Sequence, residues 1–284
     1  MSELKDSELK DAVHTDRELK ARHRKMWASG NYPELASELI SSLGPILVEA
    51  AGVSSGDRVL DVAAGAGNAA IPAALTGATV IASDLTPEMF EEGRRRAAEL
   101  GAELEWREAD AEDLPFADGE FDVVLSSIGV MFAPHHRVAA DELLRVCAPG
   151  GRIGVLSWTP RGFVGQMLGT MKPYAAAPPP GAQPPPLWGD EEHVRELFGD
   201  RVRDLSFELG TVRIDRFGTA EEFRDYFASH YGPTIAAYRN VGDDQARVAD
   251  LDRDLVELAE KHDQGSGERL VLGWEYLLVT AVKK

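Results

Sequence analysis

Cysteine is nearly absent: Cys147 is the only one in 284 residues. That excludes an internal disulfide framework and any metal site built on several thiolates. Cys147 follows Leu143, Leu144 and Val146 at helical spacing and reads as a small buried apolar residue rather than a nucleophile. Basic residues are also in deficit, 30 Lys and Arg against 48 Asp and Glu, for a formal net charge of −18. A surface so negative repels phosphate backbones, so nucleic acid is not expected as a partner. The densest basic run, Arg94 to Arg96, reads as the solvated face of a helix. No apolar run approaches the roughly 20 residues that a bilayer span requires. The opening MSELKDSELKDAVHTDRELK is polar and acidic, unlike a signal peptide. A cytoplasmic protein without a membrane partner is the expectation. What is present is ordinary for a globular chain, 44% hydrophobic and long enough to bury a substantial core.

Residues 1–33 are charged with scattered apolar positions, among them Leu19, Met26 and Trp27, and predict a helical lid or interaction arm. Residues 34–51 carry Leu35, Leu39, Leu43, Ile46 and Leu47 at helical spacing, which predicts one helix kinked at Pro45. Strand and helix signals then alternate. Strands are expected at 58–64, 79–85, 104–109, 121–127 and 152–158, with helices at about 68–75, 87–100 and 136–147. This is an α/β pattern, a parallel sheet covered on both faces through right-handed crossovers. Residues 173–189 hold seven prolines and predict an ordered or gating insertion. Beyond it the spacing predicts helices at 191–198, 220–231 and 244–261, and strands at 202–214 and 269–282. The organisation expected is the arm, then one domain over 34–284. Its cofactor half lies at about 56–159, and a proline-rich loop and substrate cap at about 160–262.

The chemistry concentrates at the strand ends. The first strand runs into VLDVAAGAGN, where Gly65 and Gly67 let the backbone pass close to a ligand and the following helix start offers free N–H donors. Such a turn also opens dinucleotide sites, although the third glycine of that fingerprint is Ala70 here. Asp61, an acid inside the strand, suits a ligand carrying an ammonium group better than a pyrophosphate. Asp84 ends the second strand, where a carboxylate can accept from both hydroxyls of an adenosine ribose. The acidic turn with Asp110, Ala111 and Glu112 follows the third strand, where Asp110 can bond an adenine amino group.

In order and properly spaced, VLDVAAGAGN, VIASDLTPEM, DAEDLPFADGEFDVV and ELLRVCAPGGRI resemble the class I S-adenosylmethionine (SAM) dependent methyltransferases. The resemblance covers about residues 24–160. It is nearest the branch of ubiquinone/menaquinone C-methyltransferases and bacterial small-molecule methyltransferases. It implies a Rossmann-like, mostly parallel seven-stranded sheet of order 3-2-1-4-5-7-6 with strand seven antiparallel, helices on both faces and a helical cap. It implies SAM as cofactor and S-adenosylhomocysteine as product. Asp61, Ala63, Gly65, Ala66, Gly67 and Asn68 would approach the methionine moiety. Asp84, with Leu85 and Met89, would hold the ribose, and Asp110, Ala111 and Glu112 the adenine. Ser126 and Ser127 would border the methyl group. Ala63 stands where many relatives have glycine, which puts the local backbone in question.

The acceptor is expected to be a small molecule methylated on O, N or C, mainly through alignment. His135, His136 and His230 are the candidate bases, whereas His14, His23, His193 and His262 sit in charged helical contexts and read as surface. Trp27, Tyr32, Phe132, Trp158, Trp188, Tyr226 and Tyr231 are the candidate substrate-pocket aromatics. No metal site is expected, and the assembly is expected to be a monomer or homodimer. An NAD(P)-dependent oxidoreductase and a non-catalytic SAM-binding adapter are the competing readings.

Overall fold

The computed structural model describes residues 17–178 and 181–284. The strands β1 (Arg58–Val62), β2 (Thr79–Asp84), β3 (Glu105–Glu108), β4 (Phe121–Ser127), β5 (Cys147–Trp158), β6 (Val202–Ile214) and β7 (Leu272–Lys283) form one sheet. Its order is β3-β2-β1-β4-β5-β7-β6. β1 to β5 pair in parallel, and β7 runs antiparallel to both β5 and β6. This is the methyltransferase-like Rossmann topology implied by the resemblance. Four consecutive residues of β1, Val59 to Val62, are buried, as a strand covered on both faces requires.

The helices are α1 (residues 17–27), α2 (Tyr32–Leu39), α3 (Leu43–Ala50), α4 (Ala70–Leu75), α5 (Phe90–Leu100), α6 (His136–Val146), α7 (Phe163–Met171), α8 (Glu191–Phe198), α9 (Ala220–His230), α10 (Gly232–Val241) and α11 (Gln245–Lys261). The arm is therefore helical over its described part; residues 1–16, with His14, lie outside the described residues. The single helix expected over 34–51 is two helices. Pro45 does not kink the second but sits in its first turn, where its missing N–H costs no bond. A side chain at Gly44 would collide with the Asn68 carbonyl, so α3 lies against the glycine turn backbone to backbone. β5 starts earlier than expected, at Cys147, which pairs with Phe121. Burial raises the Cys147 thiol to about 11, consistent with an inert, protonated side chain.

α7 and α10 were not expected. Gly165 and Gly169 weaken the helical signal of FVGQMLGTM, and Gly232-Pro233 reads as a break although proline suits a first helical turn. α9, α10 and α11 pack together, α7 lies on α11 and β7, and α2 touches α9. One hydrophobic cluster runs from α2 and α3 through the sheet into these cap helices. No helix among the described residues is long and apolar enough to cross a membrane.

Candidate functional site

The loops leaving β1, β2, β3 and β4 converge on one cavity of about 1020 Å³ of empty space, its open mouth included. Its walls are Ala63 to Ala66 and Asn68 after β1, Asp84 to Thr86 and Met89 after β2, Ala109 to Ala111 after β3, and Ser127 to Gly129 with Phe132 after β4. Lys20, His23 and Trp27 of α1 and Tyr32, Pro33 and Ala36 of α2 close it from above the loops. Open α/β sheets bind ligands at this edge, outside the carboxyl ends of the strands.

Two non-glycine residues of this wall are in the left-handed region, Ala63 at φ 54° and Ile128 at φ 53°. For a β-branched residue this is a strained conformation, of the kind found at ligand sites. The strain has a local cause. A side chain at Gly129 would strike the Ala63 carbonyl, so the β4 loop presses its bare backbone onto the β1 turn. The Ala63 methyl lies within 2.8 Å of the position that a Gly129 side chain would take. Alanine in place of glycine at 63 is thus accommodated by glycine at 129.

Asp84 is the polar centre of the wall. Its Oδ2 accepts from the Gly65 N–H at 2.8 Å and its Oδ1 from the Thr86 N–H at 2.7 Å. Burial raises this carboxyl, and the two amides oppose the rise. Each oxygen retains capacity for another donor. Asp110 also lines the cavity: its Oδ1 accepts from the Glu112 N–H at 2.9 Å, and its Oδ2 pairs with Lys20 Nζ at 2.5 Å. Asn68 donates to the Ile40 carbonyl at 3.0 Å, leaving its Oδ1 buried with no partner. Ser127 Oγ is likewise buried and unpartnered.

Four residues expected at the cofactor stand behind the wall instead. Asp61 is 1% exposed, and burial pushes its carboxyl up to about 8 against the weaker pull of the Ala70 amide. Gly67 is needed for packing: at φ 84°, its missing side chain would lie 2.7 Å from the Trp106 indole. Ser126 joins β1 to the β4 loop, donating to the Val62 carbonyl at 2.7 Å and accepting from Val130 N–H at 2.8 Å. Glu112 turns to His135, accepting its backbone N–H at 2.6 Å and facing its Nδ1 at 3.1 Å.

The candidate bases need the same correction. His135 is tied to Glu112 and does not line the cavity. His230 stacks on Tyr226 at 4.0 Å and is turned to Ser229 and the Tyr226 carbonyl. His136 is fully buried with its Nδ1 2.9 Å from His193 Nε2; burial, then His193, lower it to about 4. His193 is therefore half-buried in a pair rather than on the surface, and His262 meets Gln166 and Phe163. The imidazole on the cavity wall belongs to His23, whose pKa burial lowers.

Of the aromatics, Trp27, Tyr32 and Phe132 line the cavity. Trp158 and Tyr231 stand one layer back, around a smaller chamber of about 280 Å³ of empty space, its open mouth included, behind Tyr32, Ile40 and Ile128. Trp188 is fully buried between His136 and Phe198, and Tyr226 is held by Glu38 at 2.9 Å; neither reaches the cavity. No group of three or more potential metal ligands occurs among the described residues.

Residues 59–151 match a family model described as a methyltransferase domain. A Mycobacterium tuberculosis protein, itself uncharacterised, is 53% identical over 95% of this chain and 97% of its own. The demethylmenaquinone methyltransferase of Clavibacter sepedonicus is 45% identical over 37% of this chain and 42% of its own. The chain carries a class I SAM-dependent methyltransferase domain. The fold agrees: the YcgJ protein of Bacillus subtilis superposes with a TM-score of 0.59 at 18% identity, covering 86% of this chain and 98% of that one.

In this methyltransferase domain the residues that sequence reasoning missed come from the arm. With Trp27, which the sequence already offered, Lys20 and His23 fall at i, i+3 and i+7, the spacing of one helical face, and that periodicity was available in the sequence. What hid them was their charge and polarity, which suggested a solvated surface.

Proposed function

We propose that this protein transfers a methyl group from SAM to an oxygen, nitrogen or carbon atom of a small molecule. The observation that carries the reading is Asp84, a half-buried carboxylate on the cavity wall, steadied by two backbone amides and with acceptor capacity to spare for a ribose diol. The residues around it fit the rest of SAM. The unpartnered Asn68 Oδ1 suits the α-ammonium group, with the Asp61 carboxyl buried beneath the same turn. Asp110 and the apolar Leu85, Met89 and Ala111 suit an adenine. When bound, SAM supplies a methyl already activated on a sulfonium, so the protein's task is alignment and exclusion of water. Trp27, Tyr32 and Phe132 do this from the acceptor side, and α1 roofs the cavity.

Calorimetric titration with SAM, S-adenosylhomocysteine and NADH tests the reading. Wild type should bind the two adenosyl ligands in the micromolar range, about −8 kcal/mol. Asp84→Ala should weaken both by about 100-fold, as loss of a charged hydrogen-bond acceptor implies. NADH binding without SAM binding would make the protein an oxidoreductase. SAM binding without turnover on any acceptor would make it an adapter.

A further inference from the structure

The sheet has two edges, and they differ. β3, at one edge, is four residues long and charged at Glu105, Arg107 and Glu108, the features by which natural edges resist pairing. β6, at the other, has 13 residues. Its one neighbour in the sheet is β7, so every second residue of β6 turns its backbone N–H and C=O outward. From Ser206 to Ile214 the pairing with β7 is unbroken, and Phe207 to Val212 in its middle carry a single charge, Glu208. Leu209 is 61% exposed, more than any other large apolar residue described. The irregularity that guards an edge comes earlier: Asp204, at φ 53°, sits in the register break between Arg203 and Ser206.

A second copy of this chain fits the open stretch. Chains of net charge −18 repel one another, but residues 206–214 hold one acid and one base, Glu208 and Arg213. A two-fold axis through Gly210 pairs the whole stretch with itself in antiparallel register. Phe207 of each copy then stands opposite Arg213 of the other, Leu209 opposite Thr211 and Glu208 opposite Val212, so no like charges face each other. Arg213 can turn to this task, because its ion pair within the chain, to Asp215, is long at 3.4 Å. An axis through Glu208 would instead set the two Glu208 carboxylates against each other. At Gly210 the Tyr276 ring of β7 occupies the place of a side chain, the aromatic cover that an edge glycine needs. We propose that β6 is the interface of a symmetric dimer in which two copies join their seven-stranded sheets into one. The cavity draws its walls from the other half of the sheet and stays open in such a dimer.

Sedimentation equilibrium of the full chain across the micromolar range tests this. Wild type should show a monomer–dimer equilibrium. Leu209→Lys should weaken it by about tenfold or more, because the two introduced charges lie on the diagonal to each other and to Arg213 of the other copy. Leu209 is exposed, so the dilute variant should melt close to the dilute wild type. Cysteines then test the register under oxidation. Leu209→Cys combined with Thr211→Cys should cross-link into a covalent dimer, since those positions face each other across the axis. Glu208→Cys combined with Thr211→Cys, on opposite faces of the strand, should not. A monomer at every concentration would overturn the proposal and leave this edge to an extended segment of another protein. A dimer that Leu209→Lys leaves intact would overturn it as well, as would equal cross-linking by both cysteine pairs.

Discussion

Lys20 and Arg24 of the arm helix α1 meet the rest of the molecule through charges; its last turn meets it through close packing. Lys20 pairs with Asp110, and Arg24 reaches Glu88 at 2.9 Å and Glu108 at 2.9 Å. The two Arg24 contacts join partly exposed groups and contribute little each. At the other end, a side chain at Gly232 would lie 2.6 Å from the Met26 carbonyl, and one at Gly30 would collide with the His230 carbonyl. Trp27 adds its contacts to Phe132, Tyr32 and Tyr231. The difference shows which end can lift. The solvent-screened ion pairs of Arg24 can open at little cost, whereas the mostly buried Lys20–Asp110 pair, the interlocked backbones and the edge-to-face rings cannot. A loosely held edge at Arg24 and a rigid wall at Trp27 thus belong to one helix.

Removing the ring that anchors the rigid end should have the largest effect. Trp27→Ala is expected to raise the acceptor KM by about 100-fold, the worth of a large ring in contact with a ligand. Its S-adenosylhomocysteine affinity should stay nearly unchanged, and equal losses in both measurements would erase the contrast between the two sides. Gly30→Ala probes the anchor itself. Forcing a methyl against the His230 backbone should cost about 1–3 kcal/mol in denaturant unfolding, and an unaffected midpoint would mean that the arm is not locked there. Lys20→Met tests the charged end. S-adenosylhomocysteine should associate a few-fold faster in stopped flow and lose part of its salt dependence, while an unchanged rate would place entry elsewhere.

A pH-dependent effect concerns the layer below the wall. Asp61 titrates near 8 when folded and near 4 when unfolded, so folding takes up a proton between those values. Its stabilising contribution is complete below about pH 4 and lost as the pH rises through about 8. Asp61→Asn, which mimics the neutral acid, should therefore melt progressively higher than the ligand-free wild type as the pH rises from about 5 to about 9. A difference independent of pH would show that Asp61 does not exchange this proton.

Much of the fold was legible because its signals are local. The strand cores, the glycine turn after β1 and the acidic ends of β2 and β3 each announce themselves within a few residues. Legibility stopped where side-chain direction mattered. Ser126 and Ser127 are neighbours of one type, yet strand alternation ties the first to Val62 and turns the second to the cavity wall. Trp188 follows the proline-rich loop, which returns to β5 so closely that a side chain at Gly189 would strike the Trp158 carbonyl. That return buries an indole that composition alone had suggested for a pocket. Pro185–Gly189 forms a short 3-10 turn where only an extended loop was expected.

By itself, then, the sequence determined the order of the strands, the family resemblance and the place of Asp84 at a strand end. Periodicity, turn chemistry and spacing are properties of neighbouring residues. Only the tertiary structure decided that Lys20 and His23 belong to the site, that His135 and His230 do not, and that Asp61 lies beneath it. Those outcomes depend on which surfaces meet across long stretches of chain, where burial and close backbone approach select one arrangement and no local pattern encodes it.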